Sequence, residues 1–149
     1  MKASAEGVFL SEWNGPLTKT PLISIVDDDD LTRAAMENLV KSLGFSARTF
    51  ASAESFLESA ASVAETRCLI LDVQMPEMSG IDLQDHLSQR GIGIPIIFIT
   101  AYPDEATKSR ALNAGAICFL HKPLDLQGPR LLECLHAALG GRKGSTPAM

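Results

Sequence analysis

The sequence predicts an α/β fold, a five-stranded parallel sheet doubly wound with five helices, and three observations predict it. From Pro21 onward, short β-branched apolar runs alternate with longer amphipathic ones, the pattern of βα units around a parallel sheet. The runs Ile23-Ser24-Ile25-Val26, Leu69-Ile70-Leu71 and Ile96-Ile97-Phe98-Ile99 are apolar enough to be buried on both faces. A chain of 149 residues can cover both faces of such a sheet, burying roughly two thirds of its unfolded surface.

The elements follow in order. After the Ile23 strand, the first helix is expected over 30–43, with Asp30 as N-cap, Ala35, Met36, Leu39, Val40 and Leu43 inward, and Gly44 as the stop. Residues 45–50 form a second strand of poorer apolar content, suited to a sheet edge, and 53–61 a second helix through Phe56 and Leu57. The Leu69 strand leads into the Pro/Gly-marked loop Met75-Pro76-Glu77-Met78-Ser79-Gly80, then a helix through Ile81, Leu83 and Leu87. The Ile96 strand precedes a helix over 104–114 whose apolar stripe is the thinnest of the five, so it should be weakly held and largely solvated. The fifth strand is Ile117-Cys118-Phe119-Leu120. The last helix, 129–139, carries a stripe of Leu132, Leu135 and Leu139 widened by Leu131, Cys134 and Ala138, part of which is expected to await a partner.

Residues 1–20 read as an arm with Trp13 as its one large anchor, 21–139 as the domain, and 140–149 as a Gly/Ser/Pro tail. Met1 to Pro21 lacks the apolar run of an export signal, and no stretch approaches ~20 apolar residues, so no membrane role and a cytoplasmic location are expected. A net charge of -5 provides no basic face for direct nucleic-acid binding. Cys68, Cys118 and Cys134 are odd in number and far apart, and read as buried thiols rather than ligands or disulfides.

The chemistry lies where the strands end. One run ends on Asp27-Asp28-Asp29-Asp30, one on Asp72 and one on Thr100, and a fourth is followed by His121-Lys122-Pro123. In the flavodoxin-like order 2-1-3-4-5 the first and third strands are neighbours, so Asp27, Asp28 and Asp72 meet at the switch point, where ligands bind in open α/β sheets. Carboxylates, a hydroxyl and an ammonium at one edge suit a divalent cation and a phosphoryl group. Asp29 and Asp30 suit a solvated acidic helix start. His121, His86 and His136 read as surface residues.

The motifs Ile25-Val26-Asp27-Asp28, Leu71-Asp72-Val73-Gln74-Met75-Pro76 with Met78-Ser79-Gly80, Ile99-Thr100-Ala101, Ala114-Gly115-Ala116 and Lys122-Pro123 occur in order with helix-sized spacers. Over about residues 21–139 the chain resembles the receiver domains of two-component response regulators. The resemblance implies that Asp72 accepts a phosphoryl group from a histidine kinase or phosphotransfer protein. It implies a Mg²⁺ cofactor held by Asp28 directly, Asp27 often through water, Asp72, and the backbone carbonyl of Gln74. The resemblance further implies that Thr100 and Lys122 grip the phosphate, that the Thr100 hydroxyl swings toward it and the aromatic at Phe119 follows inward, and that Gln74 and Tyr102 tune the phosphoryl lifetime. The signal is expected to leave through the 104–139 face to a target or a second copy, with Leu131, Cys134 and Ala138 as candidate contact.

With about ten residues left after the last helix, a single-domain response regulator is expected, a switch rather than an enzyme on other substrates. The alternative is the isolated receiver of a DNA-binding transcriptional regulator. Asp28-Asp29-Asp30-Leu31-Thr32 also fits the D-x-D-x-T pattern of haloacid-dehalogenase-like phosphatases, with Asp28 as nucleophile and Thr100 and Lys122 as later motifs. That reading lacks a late acidic pair and leaves Asp72 without a role.

Overall fold

The computed structural model describes residues 20–122 and 128–140. The expected arm (1–20), including Trp13, and the tail (140–149) lie outside the described residues except at their inner ends, as does Pro123.

Among the described residues five strands alternate with helices: β1 Leu22–Val26, β2 Ser46–Phe50, β3 Cys68–Asp72, β4 Ile96–Thr100 and β5 Cys118–His121. All pairings are parallel and the spatial order is β2-β1-β3-β4-β5, as expected, with the poorly apolar β2 at an edge. The helices are α1 Asp30–Ser42, α2 Ala53–Glu58, α3 Ala60–Glu65, α4 Gly80–Gln89, α5 Glu105–Asn113 and α6 Gly128–Gly140.

Strand alternation sorts the core into two layers. Ile23, Ile25, Cys68, Ile70, Ile97, Ile99 and Leu120 face Met36 and Val40 of α1 and Leu131, Cys134, Leu135 and Ala138 of α6. The intervening Val26, Leu69, Leu71, Ile96, Phe98 and Phe119 face α2, α4 and α5 through Phe56, Leu83, Leu87 and Ala111. β3 and β4 are buried throughout because both layers cover them.

Among the described residues six helices stand where five were expected, because the second breaks at Ser59. Its hydroxyl accepts from Ser62 N–H and starts α3 while its own N–H closes α2 on Phe56 O, so the local side-chain bond replaces helical continuation. The N-cap of α1 is Asp29, not Asp30: Asp29 accepts from Thr32 N–H, which leaves Asp30 to pair with Arg33 at 2.5 Å. Ala35 is exposed rather than inward, since the stripe of α1 runs through Met36 and Val40, with Leu39 and Leu43 half-buried. Gly44, at φ +101°, takes the left-handed turn that ends this helix. As expected, α5 is the least embedded long helix, with Ala111 its one buried residue.

The cysteine expectation needs correction. Cys68 is a buried free thiol, but Cys118 on β5 and Cys134 on α6 form a disulfide, their Cα atoms 6.2 Å apart. Their distance along the chain concealed that α6 packs against β3 and β4, which brings Cys134 beside Cys118 on the neighbouring β5. That packing also overturns the expected contact face: Leu131, Cys134 and Ala138 are buried in the core, and the exposed surface between 104 and 139 includes instead Leu112 of α5.

Candidate functional site

Four strand ends build the site. Asp27 follows β1 directly, and its backbone N–H still bonds Phe50 O at 3.1 Å, so the sheet register fixes where its carboxylate points. Asp27 Oδ1 accepts from Asp29 N–H at 2.9 Å, its carbonyl accepts from Arg33 at 2.8 Å, and its Oδ2 faces Lys122 Nζ at 3.0 Å. Asp72 closes β3, almost wholly buried, with Oδ1 3.4 Å from the same ammonium. Lys122, one residue past β5, bonds through its backbone N–H to Thr100 O, which places its side chain across both carboxylates. Asp28 is exposed beside them, and the carboxylates of Asp27, Asp28 and Asp72 offer oxygens within 4.8 Å of one another.

The electrostatics follow from crowding. Burial, then the charge of Asp27, push the Asp72 carboxyl up to about 7, against the pull of Lys122. Burial works against the Lys122 charge, but hydrogen bonding and attraction from Asp27, then Asp72, outweigh it and raise its pKa. One ammonium thus partly compensates three clustered carboxylates, a donor set of hard oxygens that suits Mg²⁺.

Thr100 is fully buried at the end of β4. Its hydroxyl donates to Gln74 Oε1 at 2.7 Å and accepts from Tyr102 N–H at 3.0 Å. Tyr102 stands 74% exposed. Phe119 lies inward, 6% exposed, with its ring centroid 6.2 Å from that of Phe98. His121 and His136 are exposed, and His86 is half-buried on α4.

The supporting roles of two residues escaped the sequence reading. Arg33 ties the Asp27 carbonyl to Asp30, and its position three residues after Asp30 on a helix was the available signal. Gly80 opens α4 directly against β3, where a Cβ would stand 2.3 Å from Asp72 O. The Ser79 and Asp82 capping box fixes that helix start. A cleft lined by Thr66, Arg67, Gln84, Ile94 and Ala138 includes none of these carboxylates. No described helix is long and apolar enough to cross a membrane.

Residues 23–134 match the family model of the response regulator receiver domain. The response regulator protein TmoT of Ectopseudomonas mendocina is 43% identical over 122 residues, covering 78% of this chain and 55% of that protein. The transcriptional regulatory protein TdiR of Thauera aromatica is 40% identical over 117 residues, 78% of this chain and 50% of its own length. Among solved structures, the response regulator StyR is 44% identical with a TM-score of 0.72, over 81% of this chain and 60% of that one. The chain therefore spans about half the length of the curated relatives it matches.

Proposed function

This chain belongs to the response regulator receiver domain family, and from that premise we propose that Asp72 accepts a phosphoryl group from the phosphohistidine of a histidine kinase or phosphotransfer protein in the cytoplasm. The observation that carries the proposal is the convergence of Asp27, Asp28 and Asp72 with Lys122 Nζ between two of them. An Asp72 carboxylate oxygen attacks phosphorus, the P–N bond to the donor imidazole breaks, and an aspartyl phosphate forms. Lys122 neutralises charge on the transferring group and Thr100 donates a hydrogen bond to it, so the residues position and compensate without a dedicated base. Asp27, Asp28, Asp72 and the Gln74 carbonyl would hold Mg²⁺, which supplies charge neutralisation for the phosphoryl oxygens. The chain is a signalling switch that acts on its own Asp72.

Incubation with acetyl phosphate and Mg²⁺, followed by intact mass and mapping of the modified residue, tests the reading. Modification at Asp72 supports it, at Asp28 supports the phosphatase chemistry instead, and at neither rejects both.

A second reading has its own support. TdiR bears the name of a transcriptional regulatory protein and is about twice the matched length, which favours a receiver that controls a DNA-binding output over a single-domain regulator. The receiver chemistry is the same in both. Signal exit through α5 and β5 to a target or a second copy is part of either proposal.

Two outcomes follow from the site. Mg²⁺ at 100 times its Kd should stabilise the protein by about 2.7 kcal/mol. Asp28→Ala should lose that gain in thermal melts, whereas Asp29→Ala should lower the baseline by about 1 kcal/mol through its lost N-cap and keep the gain. Equal Mg²⁺ responses in the two variants would count against Asp28 as a ligand. Tyr102, if it folds over the phosphoryl, excludes water there; Tyr102→Ala should then hasten loss of phosphate about 10-fold, equivalent to ~1.4 kcal/mol of barrier. Dephosphorylation at saturating Mg²⁺ without kinase measures this, and an unchanged or slower rate rejects shielding.

A further inference from the structure

We infer that the Gln74 side chain is a positioning residue that latches the Thr100 hydroxyl by taking up its single proton, a regulation of the phosphoryl site that rests on the receiver reading. A threonine hydroxyl has one proton to donate and two lone pairs to accept with. At Thr100 the backbone N–H of Tyr102 donates to the oxygen at 3.0 Å, and the hydroxyl donates to Gln74 Oε1 at 2.7 Å. Both bonds are well made, so the one proton that Thr100 could offer to a phosphoryl oxygen is committed. The bond to Tyr102 leaves that proton free, whereas the bond to Gln74 competes for it.

The placement of Phe119 removes the other restraint. Its ring lies inward, packed in the layer with Phe98 and Ala111. Movement of the aromatic from the surface is therefore not required before Thr100 turns. To turn, Thr100 must release the backbone N–H of Tyr102 and break one side-chain hydrogen bond, the one that holds its proton, to a residue two positions beyond Asp72. Gln74 is exposed, so its amide can leave for water once a stronger, charged acceptor is presented. The same residue that would lend its backbone carbonyl to Mg²⁺ would thus use its side chain to hold the switch hydroxyl until the phosphoryl arrives. Occupancy of Asp72 is coupled to the release of Thr100 through two competing acceptors for one proton.

A net neutral hydrogen bond shifts such an equilibrium roughly fivefold. Gln74→Met keeps the length of the side chain and the backbone carbonyl but removes the acceptor, and should bind beryllium fluoride, a phosphoryl analogue that is not hydrolysed, about fivefold more tightly at saturating Mg²⁺. Calorimetry on the full chain reads this affinity apart from any effect on phosphate hydrolysis. In a Thr100→Val background the same substitution should change nothing, because the latch has no proton to hold; a merely structural role for Gln74 would act in both backgrounds. Gln74→Leu provides a second acceptor-free side chain should Gln74→Met fold poorly. Equal affinity of wild type and both Gln74 variants, or the same tightening in the Thr100→Val background, overturns the latch while leaving the receiver reading intact. A wild-type chain that binds neither beryllium fluoride nor phosphate at Asp72 overturns both.

Discussion

Asp72→Asn is expected to take up no phosphoryl group from acetyl phosphate under conditions where the wild type is modified, and to be more stable than the wild type without Mg²⁺. The first effect is the loss of the attacking anionic oxygen with shape retained. The second comes from crowding: burial and then Asp27 raise the Asp72 carboxyl to about 7, so its ionised form opposes folding. The unfolded chain releases this proton near the ordinary carboxylate value of about 4, whereas the native protein holds it to about 7. Stability therefore falls as pH rises through that interval, and the cost is complete above it. Asn bears no such cost. Its advantage should be small near pH 4, grow toward pH 7 and then level off at about 1–2 kcal/mol, the lost pairing with Lys122 offsetting part of the gain. Saturating Mg²⁺ should narrow the difference by compensating the wild-type carboxylate. Melting temperatures of both proteins from pH 4 to 8, alongside intact mass after phosphodonor, check both halves. Wild-type stoichiometry of acid-labile phosphate on the variant would remove Asp72 as acceptor.

Gly80→Ala should be the most damaging alanine substitution among the described glycines. Its Cβ would sit 2.3 Å from the Asp72 carbonyl oxygen and 3.2 Å from Leu71 Cγ. The oxygen belongs to the backbone at the end of a central strand, so relief requires α4 to move away from β3 or the Asp72 peptide to turn. Overpacking of this kind costs about 2–3 kcal/mol, a fall of roughly 10 °C in Tm for a domain of this size. Either adjustment also displaces Asp72, the proposed acceptor, so phosphorylation by acetyl phosphate should slow at least about 10-fold. Gly93→Ala is the control. A Cβ there meets nothing within 4 Å, and its melting temperature should stay within about 2 °C of wild type. Equal behaviour of the two alanines would show that α4 has slack against β3.

Much of this was legible along the chain because parallel strands are short, apolar and separated by helices, and because their C-terminal ends converge. Asp27, Asp72, Thr100 and Lys122 each stand at or just past a run of strand residues, so placing the strands in order placed them together. The Ser59 break, by contrast, is a contest between a side chain and the backbone within one turn, decided by a fraction of a helix's energy. The exchange of N-cap from Asp30 to Asp29 is of the same kind, since four successive Asp residues offer a cap at neighbouring positions.

The sheet, its strand order, the poor embedding of the helix over 104–114 and the identity of the charged groups at the sheet edge could be read from the residues alone, because period and strand-end position are local properties that a pattern of residues carries. How those groups pair could be read only from the folded protein. Lys122 reaches Asp27 and Asp72 across strands far apart in the chain, Arg33 turns back to the Asp27 carbonyl, and the Thr100 proton goes to Gln74. The same holds for the inward Phe119, the Cys118–Cys134 bond and the burial of Leu131 and Ala138 of α6 against the sheet. Each depends on a distance of a few ångströms between elements and on one rotamer chosen among several, and the free energy of that choice comes from packing against neighbours that no local pattern specifies.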